Sequence, residues 1–222
     1  MPDHITIADV DRDGAFAEAE HGLATTTRAG LFRRVGLIAG GGAIAGALPI
    51  ALAGAQGGSF TKGDVKILNY ALTLEYLEAA FYAEANAKGK LTGVTATFAK
   101  VVGAHEDAHV TALKKVLGSK AVAKPSFDFK GTTGSQKTFL ATAKVLEDTG
   151  VSAYQGQAGN IKADAVLATA GSILAVEARH AAWVRDIIGA GKAPVPAPSA
   201  FSTPKSMSAV LSAVKSTGFI KA

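Results

Sequence analysis

The feature that most constrains this chain is a pair of acidic motifs that occurs twice at matching spacing. In LEYLEAAFY, Glu75 precedes Tyr82 by seven residues, and in HEDAHV, Glu106 precedes His109 by three. LEDTGVSAY and VEARH repeat both spacings, with Glu147 seven before Tyr154 and Glu177 three before His180. The copies are offset by 72 positions for the first motif and 71 for the second, so two halves of the chain repeat almost in register. Residues three, four or seven apart share a helix face, so each Glu-x-x-His aims a carboxylate and an imidazole the same way. Four helices packed with these faces inward bring four acids and two imidazoles together. Buried without counter-charge, such acids would take up protons or unfold the bundle. A pair of divalent metal ions removes that conflict.

One Glu from each of two helices, plus a Glu-x-x-His from each of the other two, is the ligand set of dinuclear carboxylate bundles. On these residues, roughly Gly63 to Gly189 resembles the ferritin-like superfamily of four-helix di-metal proteins. The likeness is greatest to exported bacterial ferritin-like domain proteins and plant desiccation-related proteins. It implies an all-α four-helix bundle with a long crossover between helices two and three. It also implies metal ligation by Glu75, Glu106, His109, Glu147, Glu177 and His180. The metals implied are two Fe ions, with two Mn ions as the alternative.

At 222 residues, 48% hydrophobic and 18% charged, the chain can bury one sizeable core. It has no cysteine, which excludes disulfides, thiol catalysis, iron–sulfur clusters and cysteine-ligated zinc. The net charge of +5 is spread along the chain rather than gathered into a basic, aromatic-studded patch, so no nucleic-acid footprint is present.

Residues 1–29 are polar and acidic, with no sustained apolar period, and are expected to be unstructured. Arg33 and Arg34 then precede a weakly apolar run that ends in Ala53-Gly54-Ala55, the layout of a twin-arginine export signal cleaved after Ala55. Phe32 stands where that motif has Ser or Thr. The other reading is an uncleaved membrane anchor, against which Gly40, Gly41, Gly42, Gly46 and Pro49 argue. Residues 1–55 are therefore assigned to the signal, 56–189 to the bundle and 190–222 to a tail. The expected location is periplasmic or extracellular, with membrane contact only through an uncleaved signal. Of the five histidines only His105, His109 and His180 lie beyond the signal, and four of the six glutamates there are candidate ligands.

A first helix is expected from a cap at Thr61 or Asp64 to Lys88, with Leu68, Leu72, Glu75, Ala79 and Tyr82 inward. The second runs from Thr92 or Thr95 to Leu117, with Phe98, Val102, Glu106, His109, Leu113 and Val116 inward. Residues 119–134 break the period at Pro125, Gly131 and Gly134 and are long enough to cross the bundle. The third helix, Ser135 to Gly159, carries Phe139, Ala143, Glu147, Tyr154 and Ala158. The fourth, Ala163 to Ile188, carries Val166, Ala170, Ile173, Glu177, His180, Val184 and Ile187. In the tail, GKAPVPAPSAF is extended, and Thr203-Pro204 offers a cap and first-turn proline for a short helix through Val210, Leu211 and Val214. That helix is expected to pack on its own bundle.

Tyr82 and Tyr154 are candidates for a catalytic role, either as redox groups or through a hydrogen bond to a liganding carboxylate; as core tyrosines they need neither. His105, one turn before His109, is expected at the rim. Asp107 and Asp148 read as surface charges, and Glu78 and Glu84 as lying outside the site. Such a centre suits an oxidase of the ferroxidase or peroxide-consuming kind, acting on Fe(II) with O2 or peroxide. A metal-stabilised stress or envelope protein without turnover, and a manganese catalase-like dismutase, remain alternatives. Assembly into a homo-oligomer is left open by the sequence.

Overall fold

The computed structural model of the protein describes residues 60–221; the twin-arginine signal expected over residues 1–55 lies outside them. Four long helices carry the fold: α1 (Lys62–Lys88), α2 (Gly93–Leu117), α3 (Gln136–Ala158) and α4 (Asp164–Gly189). A short α5 (Met207–Thr217) follows. The architecture is all-α, and among the described residues β-type pairing is limited to one bridge between Phe127 and Ile220. No helix among the described residues is long and apolar enough to cross a membrane.

Local chemistry sets the helix ends. Thr61 Oγ1 accepts from Asp64 N–H at 3.0 Å, while the Asp64 carboxylate accepts from Thr61 N–H at 3.1 Å, a reciprocal cap. The same carboxylate accepts from Lys162 N–H at 2.8 Å, tying the start of α1 to the link before α4. α1 stops at Gly89, which takes the left-handed conformation. At α3 the Ser135 hydroxyl accepts from Thr138 N–H at 3.2 Å.

The connection between α2 and α3 travels the length of α1. It leaves α2 beside Asn69, whose side chain bonds Lys120 and Val122, and arrives at Thr133, which bonds Glu84 and Lys88. Those anchors are roughly 22 to 28 Å apart on the helix at 1.5 Å per residue. Thr92 N–H donates to Gln136 Oε1 at 3.1 Å, so α2 and α3 start at the same end and run parallel. α1 with α2, and α3 with α4, form the two antiparallel hairpins. This is the long-crossover connectivity expected from residues 119–134.

Two apolar clusters fill the ends of the bundle. One stacks Phe81, Tyr82, Phe98 and Phe139 around the C-terminal half of α1, and the other joins Leu68, Leu72, Leu113, Ile161, Val166 and Ile173 at the opposite end. Between them lies a layer of buried acids. Val116, Ala158, Ala170 and Ile187, expected inward, are only partly buried, because each sits near a helix end or on the flank of its stripe.

The tail departs from expectation in register. The cap of α5 is Ser206, whose hydroxyl accepts from Ala209 N–H at 3.2 Å, and not Thr203-Pro204. The reason is tertiary: Lys205 N–H donates to Ser152 O at 3.0 Å, and the Lys205 carbonyl rests where Gly156 lacks a side chain. Residues 203–205 are thereby held extended against α3. α5 does pack on its own bundle, burying Val210 and Val214, while Leu211 is exposed. Phe219 O and Ser126 O then accept from Asp128 and Lys221 N–H, pairing the last residues with the crossover.

Candidate metal centre

Helical spacing delivers all six expected ligands to one layer. Glu75 and Glu147 come from α1 and α3, Glu106 and His109 from α2, and Glu177 and His180 from α4. The four glutamates are fully buried and the histidines nearly so, at 9% exposure for His109 and 2% for His180. The layer divides into two overlapping sets: Glu75, Glu106, His109 and Glu177, and Glu106, Glu147, Glu177 and His180. Within each set, one ligand atom per residue lies within 4.8 Å of the others.

His109 Nδ1 stands 3.1 Å from Glu75 Oε2, 3.2 Å from Glu106 Oε2 and 3.3 Å from Glu177 Oε1. His180 Nδ1 stands 3.1 Å from Glu106 Oε1, 3.3 Å from Glu147 Oε2 and 3.9 Å from Glu177 Oε1. Glu106 thus turns one oxygen to each histidine, and Glu177 Oε1 lies between them, so these two carboxylates belong to both sets. Glu75 and Glu147 each serve one side. Ligands on one ion at ~2.1 Å bonds stand about 3 Å from their neighbours, which is the spacing seen. Glu106 Oε1, Glu147 Oε2, both Glu177 oxygens and His180 Nδ1 are buried without a hydrogen-bond partner. Lone pairs that converge at this distance and make no hydrogen bonds are oriented toward a shared centre, not toward each other.

The Ferritin-like domain family matches residues 63–190. The chain belongs to the ferritin-like domain family. None of the curated proteins compared matches it.

Within this ferritin-like bundle the two tyrosines act crosswise. The Tyr82 hydroxyl of α1 donates to Glu147 of α3, and the Tyr154 hydroxyl of α3 donates to Glu75 of α1 at 2.5 Å. The sequence repeat therefore appears in space as an approximate two-fold relation. Burial and the neighbouring carboxylates push both phenols well above their ordinary value, which keeps them protonated as donors. They bind the two glutamates that serve a single side, and so fix those side chains.

Two features break the symmetry. His105 is largely exposed, yet its ring stacks on His180 at 5.2 Å between centroids, with Nδ1 2.9 Å from His180 Nε2. The contact holds the His180 ring by Nε2 with Nδ1 turned inward to the carboxylates, so His105 orients the imidazole. The counterpart position in the second half is Val176. The other feature is Glu78, expected outside the site and found 97% buried beside it, with exposure of 3%. It belongs to neither set of converging groups, although it is buried against them. Glu78 is one turn from Glu75 on the same face, and its counterpart 72 positions on is Gly150, whose missing side chain leaves it room. Glutamate at three-residue spacing was the available signal. Glu84 does lie outside, paired with Lys88 and Thr133; Asp148 pairs with Arg185 and Asp107 is exposed.

The acids repel one another. Burial, then the charge of their neighbours, pushes Glu177 and Glu78 well above the usual carboxylate range, and burial takes Glu106 up to about 7. Burial opposes charge on the imidazoles, but the facing carboxylates prevail: His109 is raised, and His180 reaches about 10. Burial also works against ionisation of Glu75, yet the His109 charge draws it below its ordinary value. The cluster holds protons that a cation would displace. Oxygen and imidazole donors without sulfur suit iron or manganese.

Proposed function

We propose that this protein is an exported dinuclear oxidase, in which a pair of iron ions reacts with O2 or peroxide. The observation that carries the reading is the convergence of unpartnered buried lone pairs from Glu106, Glu147, Glu177 and His180. Glu75, Glu106, His109 and Glu177 would hold one ion, and Glu106, Glu147, Glu177 and His180 the other. Bound there, iron supplies the electrons for reducing the oxidant. The chain supplies geometry: Glu106 and Glu177, which face both histidines, would be shared by the two positions, and the tyrosines hold Glu75 and Glu147. The apolar layers above and below keep water out, which strengthens every electrostatic interaction between them. Tyr82 and Tyr154 are placed beside the site as phenols that can give a proton, or an electron and a proton, at their hydroxyl oxygens.

Export by the twin-arginine route belongs to the same proposal and is supported by Arg33, Arg34 and the Ala53-Gly54-Ala55 ending. That route carries folded proteins, so the metals would be acquired before release.

The test is anaerobic loading with Fe(II), elemental analysis, then oxygen uptake and peroxide breakdown. The proposal expects two metals per chain and rapid uptake, both lost in Glu106→Ala. Two metals with neither uptake nor peroxide breakdown would overturn turnover in favour of a metal that serves folding. Peroxide dismutation by the Mn(II)-loaded protein alone would instead indicate a manganese catalase-like activity.

A further inference from the structure

The two ends of the bundle surround their tyrosines differently. Around Tyr82 the space is filled by rings: Phe81, Phe139 and Phe98 stand 5.5, 5.8 and 5.9 Å from it between centroids. The sequence repeat puts Ala153, Ile67 and Thr169 at the matching positions for Tyr154, offset by 72 residues for the first two and 71 for the third. Smaller side chains in place of three rings leave space, because surroundings collapse only in part around lost volume. A cavity of about 20 Å3 lies there, and Ile67, Ala71, Leu113, Ala153 and Tyr154 line it.

The walls of this cavity select what can enter, for they are almost wholly apolar. Of the polar groups among them, the Tyr154 hydroxyl is committed to Glu75 at 2.5 Å and Gln157 Oε1 accepts from Asn160 at 3.3 Å, while the Tyr70 hydroxyl has no partner. A buried water makes about three hydrogen bonds, and an apolar cavity favours a guest that needs none. At ~10–15 Å3 for one water-sized molecule, the space takes a single small guest. Hydrogen peroxide donates and accepts hydrogen bonds as water does and is disfavoured on the same ground; dioxygen is not. The half-buried Ala170 stands on one side of the cavity, and on the other Tyr154 is one hydrogen bond from Glu75.

We propose that this cavity holds dioxygen on its way to the acidic layer, and that O2 rather than peroxide is the oxidant of the centre. The inference rests on the dinuclear oxidase reading and narrows its substrate. Access is one-sided: the rings about Tyr82 close the opposite end, so the oxidant arrives on the side of Glu75 and His109. Tyr154 positions both partners, since its ring forms part of the cavity wall and its hydroxyl holds Glu75. Ala153, standing where the first half of the repeat has Phe81, is the residue that keeps the space open.

Methyl NMR relaxation of the metal-free protein under O2 pressure, with N2 at equal pressure as the control, tests the cavity without any turnover. Paramagnetic O2 should enhance relaxation at the Ala71 methyl far more than at that of Ala143, its buried counterpart at the other end. Ala153→Val, which fills the space, should abolish the enhancement; Ile67→Val, which removes one methyl from the wall, should increase it and serves alone if the filled variant does not fold. In the Fe(II)-loaded protein, Ala153→Val should slow the reaction with O2 severalfold and leave the reaction with H2O2 unchanged. Enhancement no greater at Ala71 than at Ala143, no change in Ile67→Val, or equal slowing of both oxidants in Ala153→Val would each overturn the proposal. Preferential enhancement at Ala71 in a wild type whose Fe(II) form reacts with neither oxidant would support the dioxygen cavity and overturn the oxidase reading instead.

Discussion

Glu106 is the residue on which both halves of the site depend, since its two oxygens face the two histidines at 3.2 and 3.1 Å. Glu106→Ala should therefore remove most of the stabilisation that metal confers, whereas Glu84→Ala, at a partly exposed ion pair, should leave it intact. Glu75→Gln keeps shape but removes the charge that faces His109 at 3.1 Å and that the fold stabilises, so the metal-free form should lose stability and metal affinity should fall with it. The pH dependence of the metal-free form follows from the raised values. A group that binds its proton more tightly when folded stabilises fully below its ordinary pKa and loses that contribution as pH rises through the folded one. For Glu106 that window runs from 4.5 to about 7, and for His180 from 6.5 to about 10. In chelator, denaturant midpoints should fall between about pH 5 and about pH 8, following these shifts; a rise would contradict the assigned electrostatics. At this scale four acids and two histidines were legible from spacing alone, because ligand periodicity and helix periodicity coincide. Glu78 was not, because its burial depends on Gly150 across the bundle.

Helix extents were readable because caps and stops are local: Thr61 with Asp64, Ser135 with Thr138, and Gly89 at the end of α1. A glycine inside a helix such as α3 costs about 1 kcal/mol against alanine. Gly150 and Gly156 are where a carboxylate and the Lys205 carbonyl approach the backbone. Gly156→Ala should destabilise the protein by about 1–3 kcal/mol, the usual cost of overpacking. Gly171→Ala in α4 meets nothing within 4 Å and should gain about 0.5–1 kcal/mol from helix propensity. Thermal melts of the two variants check both signs; equal effects would show that the Lys205 strap contributes nothing. The start of α5 was misplaced at Thr203 because the bond from Lys205 to Ser152 is long-range, and no local signal reports it.

For the whole molecule, the repeat, the crossover and the polar layer express one design, in which two similar hairpins present acids to a common plane between two apolar ends. Their order was legible because a loop of that length between two helical pairs has few other routes. The central claim is that this plane is a metal site and not a set of protonated acids. Metal that binds only the folded chain stabilises it by RT ln(1 + [L]/Kd), about 2.7 kcal/mol at a hundredfold excess over Kd. The direct test is the shift in melting temperature on adding Fe(II) or Mn(II) under anaerobic conditions to wild type, Glu106→Ala and Glu84→Ala. The account predicts a large shift in wild type and Glu84→Ala and little in Glu106→Ala; equal shifts in all three would contradict it.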